Sequence, residues 1–226
     1  YWIIQMLTEI EDSVALMSPV YYPFANAIRD TSRTLVDVPL VKDENGYYTM
    51  DLESFEATVQ KKDVKLFILC SPHNPVGRVW REEELRNLLD VCRRNGVYVI
   101  ADEIHHDLIM PGQRQVTAAA TGDYDSILIT LTSASKTFNL ASCQNAMAII
   151  PNDALRAKYD AMTRKIKTQS GSSFGYVAYE AAFRGGKEWL EQAIQLNYGN
   201  YQIMLKGLKQ KLPEAVVSPL EGTNMA

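Results

Sequence analysis

The stretch VYVIADEIHHD (residues 97–107) passes from a continuous apolar run directly into a cluster of acidic and histidine side chains. Two other stretches have the same form, LFILCSPHNPVG (66–77) and ILITLTSASKT (127–137). An apolar run without alternation is typical of a strand that is covered on both faces, as in a parallel sheet. The three stretches therefore predict three buried strands whose carboxyl ends carry polar side chains.

The segments around these strands extend the pattern. Apolar runs at 13–18 and 146–150 predict two further strands, and amphipathic patterns predict helices over 51–61, 81–95, 153–167, 174–184 and 187–211. In the helix over 81–95 the leucines fall on one face, and Gly96 supplies a stop signal. Strands that alternate with helices predict an α/β fold, a mostly parallel sheet with helices on both faces.

The chain becomes helical after Pro151, and the last and longest helical stretch, over 187–211, suggests a connection to a second, smaller domain. We expect a large domain over residues 1–186, a connecting helix over 187–212 and the start of a smaller C-terminal domain over 213–226. An apolar helix-like pattern already begins at residues 1–10, and no closing helix follows residue 213. We therefore expect both ends to be cuts through a longer fold.

Composition excludes several classes of function. The 226 residues carry a net charge of -4, whereas a nucleic-acid partner requires a basic surface. No run of 18 apolar residues predicts a membrane span. Cys70, Cys92 and Cys143 form no CxxC pair, so we expect neither a disulfide framework nor a zinc knuckle, and we expect a reducing cytoplasmic compartment.

Polar residues after three strands predict a shared site, because ligands of open parallel sheets bind at the carboxyl ends of the strands. Asn74, Asp102 and Lys136 lie at these ends. Such a set meets the needs of pyridoxal 5'-phosphate, which requires an amine for a Schiff base and an anion that keeps its pyridine nitrogen protonated. Lys136 supplies the amine and Asp102 the anion, while Ser133 and Ser135 offer hydroxyls to the phosphate.

Three segments in this order resemble the fold-type-I pyridoxal enzymes of the class I/II aminotransferase superfamily: SPHNPVGRVW (71–80), ADEIHHDL (101–108) and SASKTFNLA (133–141). They are most similar to the MalY/PatB group of cystathionine and cysteine-conjugate β-lyases. PVYYPF (19–24) and GGKEWLEQ (185–192) also fit that group, so the resemblance covers essentially the whole chain.

The resemblance implies a role for each matching residue. Lys136 would form the Schiff base and later move the α-proton of the substrate. Asp102 would pair with the pyridine nitrogen, and Asn74 would hydrogen-bond the ring oxygen O3'. His105 stands where aminotransferases often have tyrosine, and Tyr21 resembles the aromatic residue that stacks on the cofactor ring.

The resemblance also implies which residues would bind the phosphate group of the cofactor. Ser133 and Ser135 resemble the phosphate-binding hydroxyls, and Gln144 stands where many aminotransferases have a phosphate-binding arginine. The lyase group shares this departure. The family's phosphate loop would precede Tyr1 and its carboxylate-binding arginine would follow Ala226, so whether the chain alone is active stays open.

The implied reaction is α,β-elimination of cystathionine or other cysteine S-conjugates to pyruvate, ammonia and a thiol. The resemblance also implies a homodimer whose partner is a small-molecule amino-acid substrate. An amino-acid aminotransferase is the first alternative, because it shares every step up to the carbanion. An inactive fragment or a regulatory protein with the same fold is the second. We expect no metal site, because period-two alternation on an extended chain separates Asp102 from Glu103 and His105 from His106.

Overall fold

Six strands form one sheet in a computed structural model that describes residues 1–225. The strands of the described chain are β1 (Ser13–Leu16), β2 (Thr34–Asp37), β3 (Val41–Lys42), β4 (Tyr48–Thr49), β5 (Val64–Cys70), β6 (Tyr98–Asp102), β7 (Leu128–Thr132) and β8 (Met147–Ile149). The sheet order is β2-β1-β5-β6-β7-β8. All neighbours in it are parallel except β7 and β8, and β3 pairs with β4 in a separate antiparallel ribbon.

Helices connect and cover the strands. They are α1 (Trp2–Leu7), α2 (Pro23–Asp30), α3 (Leu52–Lys61), α4 (Glu82–Arg94), α5 (Ala134–Thr137), α6 (Asp153–Ile166), α7 (Ser173–Gly185) and α8 (Lys187–Lys211). Side chains cap several of the helices: the carboxylate of Asp51 accepts a hydrogen bond from the Ser54 amide of α3, and Asn152 does the same for Leu155 of α6. No helix in the described residues is both long enough and apolar enough to cross a membrane.

The sheet is buried on both faces. On one face Phe67 and Leu69 of β5 join a core that includes Phe55 of α3 and the leucines of α4. On the other face Leu66 and Ile68 of the same strand join a core built with α1, α2 and α6. Because successive side chains of a strand point to opposite faces, one continuous apolar run serves both cores. The predicted α/β fold is therefore confirmed.

The predicted elements agree with the observed ones to within two residues at each end. Sequence reasoning did not predict the helices α2 and α5 or the strands β2, β3 and β4. β2 is a four-residue edge strand with one buried side chain, and β3 and β4 have two residues each. Such short elements lack the apolar run on which the prediction depended.

The segment after α8 returns to the loop that follows β5. The backbone amides of Glu221 and Gly222 donate to the carbonyl of Gly77, at 2.9 and 3.0 Å. Gly77 has φ +75, and a side chain on it would meet Leu220, so glycine is required on both counts. These contacts connect the C-terminal segment to the loop that follows β5, and the division into 1–186, 187–212 and 213–226 stays a prediction.

Candidate active site

The carboxyl ends of β5 and β6 and the segment after β7 surround a single cavity. Its lining consists of Tyr21, Phe24, Cys70, Asn74, Asp102, Ile104, His105 and Lys136. The cavity holds about 380 Å³ of space, part of it open to solvent. Five of the seven site residues named from the sequence thus meet at the edge of the sheet where ligands of this fold class bind.

Asp102 places a carboxylate at the end of β6. Its Oδ1 accepts a hydrogen bond from the Ile104 amide at 3.1 Å. Burial raises the pKa of Asp102 to about 6, although this hydrogen bond and the charge of Lys136 act in the opposite direction. A buried carboxylate of this kind is stabilised by a cation at the site, and a protonated pyridine nitrogen is such a cation.

His105 carries a buried polar atom without a partner. The side chain is 4% exposed, and its Nδ1 forms no hydrogen bond within residues 1–225. Burial lowers the pKa of His105 to about 4, and the positive charge of Lys136 contributes. The ring is therefore neutral near pH 7. Buried polar atoms normally have a partner, so the free nitrogen fits a ligand that occupies the cavity.

The loop after β5 presents Asn74 to the cavity. The Asn74 amide lies 3.4 Å from Cys70 Sγ, and that thiol donates to the Pro72 carbonyl at 3.4 Å. The Trp80 indole N–H anchors the same turn by donating to the Cys70 carbonyl at 2.9 Å. Burial, with a contribution from the Asp102 charge, raises the pKa of Cys70 to about 12. The thiol stays protonated, so it shapes the loop and is not a nucleophile.

Tyr21 is 42% exposed, and its ring meets Phe24 edge to face, with centroids 5.6 Å apart. Because the edge contact occupies only part of the tyrosine ring, a face remains for stacking on a planar ligand. This arrangement is compatible with the stacking role expected for Tyr21.

Lys136 lies on α5, a helix of one turn, and its side chain is exposed. Ser133 caps this turn, since its Oγ accepts from the Ser135 amide at 3.0 Å. The same hydroxyl donates to the Asn145 carbonyl at 2.8 Å and lies 2.5 Å from the Tyr179 hydroxyl. Neither Ser133 nor Ser135 lines the cavity, and their phosphate-binding role stays a prediction.

Three lining residues were not named from the sequence as site residues: Phe24, Cys70 and Ile104. Cys70 could have been found, because it is the last residue of β5 and pairs with Asp102 in the sheet register. Phe24 and Ile104 carry no such signal, since apolar side chains near a turn are as often part of the core.

The acidic and histidine side chains of residues 102–107 do not all face the cavity. Asp102 and His105 line the cavity, whereas the Glu103 carboxylate accepts from the Ala118 amide at 2.7 Å. Within residues 1–225 no group of three or more histidine, cysteine, aspartate or glutamate side chains is arranged to hold a metal ion.

The geometry agrees with comparisons to known proteins. The family model "Aminotransferase class I and II" matches residues 1–225. The chain belongs to this family. Cystathionine beta-lyase PatB of Bacillus subtilis is 36% identical over 212 residues, which are 93% of this chain and 54% of that relative. Within the class I and II aminotransferase family, this similarity agrees with the group that the sequence motifs resemble.

Solved structures give the same result. A PLP-bound putative aminotransferase from Clostridium difficile 630 superposes with a TM-score of 0.93 at 36% identity, covering 99% of this chain and 57% of the other. The PLP-bound C-S lyase from Staphylococcus hominis superposes with a TM-score of 0.91 at 32% identity, covering 98% and 55%. The chain spans about half the length of these family members.

Proposed function

We propose that this chain is the cofactor-binding part of a pyridoxal 5'-phosphate-dependent carbon–sulfur β-lyase. The observation that carries the proposal is the convergence of Lys136, Asp102 and His105 on one cavity at the carboxyl edge of a parallel sheet. Similarity to a cystathionine β-lyase and to a PLP-bound C-S lyase supports it.

The cavity residues fit the cofactor by chemical type. Asp102 would pair with the pyridine nitrogen, which relieves the cost of its burial. Asn74 and His105 would hydrogen-bond the polar edge of the ring, and the unpartnered Nδ1 of His105 supports that placement. Tyr21 would cover the face of the ring. Ser133 and Ser135 stay candidates for the phosphate.

The bound cofactor supplies an electron sink for a carbanion at the α-carbon of an amino acid. Lys136 Nζ then holds the proton that leaves the α-carbon, since Lys136 supplies the amine among the cavity residues. His105 stays neutral and adds no charge beside this amine. Phe24 and Ile104 add apolar side chains to the cavity lining beside this amine.

The proposed reaction is α,β-elimination of cystathionine or another cysteine S-conjugate, which yields pyruvate, ammonia and a thiol. His105 and Gln144 favour this reaction over transamination, because both match the lyase group in the sequence motifs. The full-length protein, given cystathionine and no keto acid, should release pyruvate and free thiol. The variant Lys136→Ala should release neither.

Aminotransferase activity is the second candidate, and the likeness to a putative aminotransferase favours it. The same assay separates the two functions. If pyruvate stays absent until a keto acid is added, and an amino group is then transferred to that acid, the lyase proposal is wrong. If the full-length protein neither binds pyridoxal phosphate nor turns over either substrate, it is a regulatory protein with the same fold. If the full-length protein is active and this chain alone is not, the chain is an inactive fragment.

We also propose that the protein acts as a homodimer in the cytoplasm. α7 supports the dimer, because Phe174 and Val177, three positions apart on one face of the helix, are 87 and 68% exposed. Exposed apolar groups in such a cluster mark an interaction surface. The free state of Cys70, Cys92 and Cys143 supports a reducing compartment.

A further inference from the structure

The turn that carries Lys136 is too short to hold its own position. α5 has four residues, and a single helical turn is not stable by itself in water. Its amino-terminal end is held by the bond from Ser133 to Asn145. Its carboxyl-terminal end is held by Thr137, whose Oγ1 donates to Asp107 Oδ2 at 2.9 Å. The 1% exposure of Thr137 keeps water away from this hydroxyl.

Asp107 belongs to the loop that begins at Asp102, and the residue before it makes a second contact with the lysine segment. His106 Nδ1 lies 2.9 Å from the hydroxyl of Thr132, the last residue of β7. His106 Nε2 lies 3.3 Å from Asp107 Oδ2. We call His106 and Asp107 the bracket, because they contact Thr132 and Thr137 on either side of the lysine segment.

His106 contacts its own loop as well as the lysine segment. Its Nδ1 lies 2.8 Å from the Glu103 carbonyl, and its Nε2 lies 3.3 Å from Asp107 Oδ2. Asp107 Oδ2 therefore faces both His106 and the Thr137 hydroxyl. A hydrogen bond to a carboxylate is stronger than one between two neutral groups, so Asp107 is an effective acceptor for Thr137.

We propose that His106 and Asp107 are positioning residues that set the location of the Lys136 amine relative to the Asp102 carboxylate. The sheet register fixes Asp102 opposite Leu131, but Lys136 lies five positions beyond that pair. The bond between Asp107 and Thr137 supplies a second connection between the two chain segments. Neither bracket residue lines the cavity, so both act through the turn and not on the ligand.

This inference rests on the proposed cofactor function, and a matched pair of variants tests it. Thr137→Val replaces the hydroxyl with a methyl group of similar shape, whereas Thr137→Ser keeps the donor. Titration of the cofactor-free protein with pyridoxal phosphate, followed by visible absorbance, gives the dissociation constant of each variant. Loss of one hydrogen bond of about 1.4 kcal/mol predicts about a tenfold weaker constant for Thr137→Val, and less than about a twofold change for Thr137→Ser.

A double-substitution cycle shows whether the two residues act as a unit. Asp107→Ala should weaken binding by at least as much as Thr137→Val, because Asp107 Oδ2 also contacts His106, and the double variant should bind no more weakly than Asp107→Ala alone. If the two effects multiply, or if Thr137→Val binds the cofactor as tightly as the unsubstituted protein, the proposal is overturned. Asp107 is only half-buried, so we expect Asp107→Ala to fold. Its dissociation constant therefore still tests the proposal if Thr137→Val does not fold.

Amide hydrogen exchange in the cofactor-free protein provides a readout that does not depend on the cofactor. Residues 133–138 should exchange faster in Thr137→Val than in Thr137→Ser, while the amides of β6 keep their rates. Unchanged exchange in this segment would contradict the bracket. A protein that develops no visible band but shows the expected exchange would overturn the cofactor function and leave the bracket standing.

Discussion

At the scale of single residues, Asp102 places a carboxylate at a position where burial disfavours its charged form. Burial raises the pKa of Asp102 to about 6, and within residues 1–225 its own loop offers one backbone hydrogen bond in return. A group of this kind reduces stability in the absence of its ligand, which is common at sites shaped for binding.

Replacement of this carboxylate should stabilise the cofactor-free protein. A raised pKa means that the folded state keeps its proton to a higher pH than the unfolded chain, so the free energy of unfolding falls as pH rises from about 4 to about 6. Asp102→Asn should therefore raise that free energy by about 1–3 kcal/mol near pH 8. Denaturant titrations near pH 8 and near pH 4 measure the change.

The difference in free energy of unfolding between Asp102→Asn and the unsubstituted protein should nearly vanish near pH 4, where Asp102 is protonated in the folded state. The exposed Asp125 provides the matched control, and Asp125→Asn should change little at either pH. If Asp102→Asn raised the free energy of unfolding equally near pH 8 and near pH 4, burial of the charge would not be the cause of the stabilisation.

At the scale of elements, one arginine connects parts of the chain that are far apart in sequence. The Arg78 side chain is 1% exposed, and its Nε lies 2.8 Å from Glu221 Oε2. Its Nη2 lies 2.9 Å from Glu84 at the start of α4, and its guanidinium stacks over Tyr47 and Trp80. The network joins α4 and the C-terminal segment to the loop that presents Asn74.

Removal of this arginine should destabilise the fold strongly. Arg78→Met leaves the carboxylates of Glu84 and Glu221 without their cation, and the loss should be on the order of 3 kcal/mol in the free energy of unfolding. The exposed pair of Arg184 and Glu180 on α7 is the control. Arg184→Met should cost less than about 0.5 kcal/mol. If Arg78→Met and Arg184→Met lowered the free energy of unfolding by similar amounts, burial would not explain the contribution of Arg78 to stability.

Long apolar runs made the sheet predictable, whereas contacts between distant segments did not follow from the sequence. Asn74, Asp102 and Lys136 could be named because each comes shortly after such a run. The hydroxyl of Ser133 could not be placed, because it bonds to Asn145 and meets Tyr179, 46 positions away. The ribbon of β3 and β4 escaped prediction because two-residue strands carry no periodicity.

At the scale of the whole molecule, both faces of the sheet are covered by other elements, whereas α7 exposes apolar side chains. Phe174 and Val177 expose 87 and 68% of their surface, although apolar side chains fill both faces of the sheet. An apolar helix face that the described chain does not cover is compatible with the dimer that we propose.

A charge on this helix should weaken the assembly. Phe174→Glu places a carboxylate in the proposed interface, where its desolvation opposes association, so the protein should shift from dimer to monomer in sedimentation velocity. Val41→Glu, on the ribbon, is the control and should leave the sedimentation coefficient unchanged. A Phe174→Glu protein that stays dimeric at the same concentration would place the interface elsewhere.

The most direct test is to locate the covalent bond between the protein and pyridoxal phosphate. The holoprotein is reduced with borohydride and digested, and the modified peptide is sequenced by mass spectrometry. We predict one phosphopyridoxyl group, on Lys136, and its loss in Lys136→Ala. An adduct on a different lysine, or no adduct in a folded protein saturated with the cofactor, would contradict the assignment.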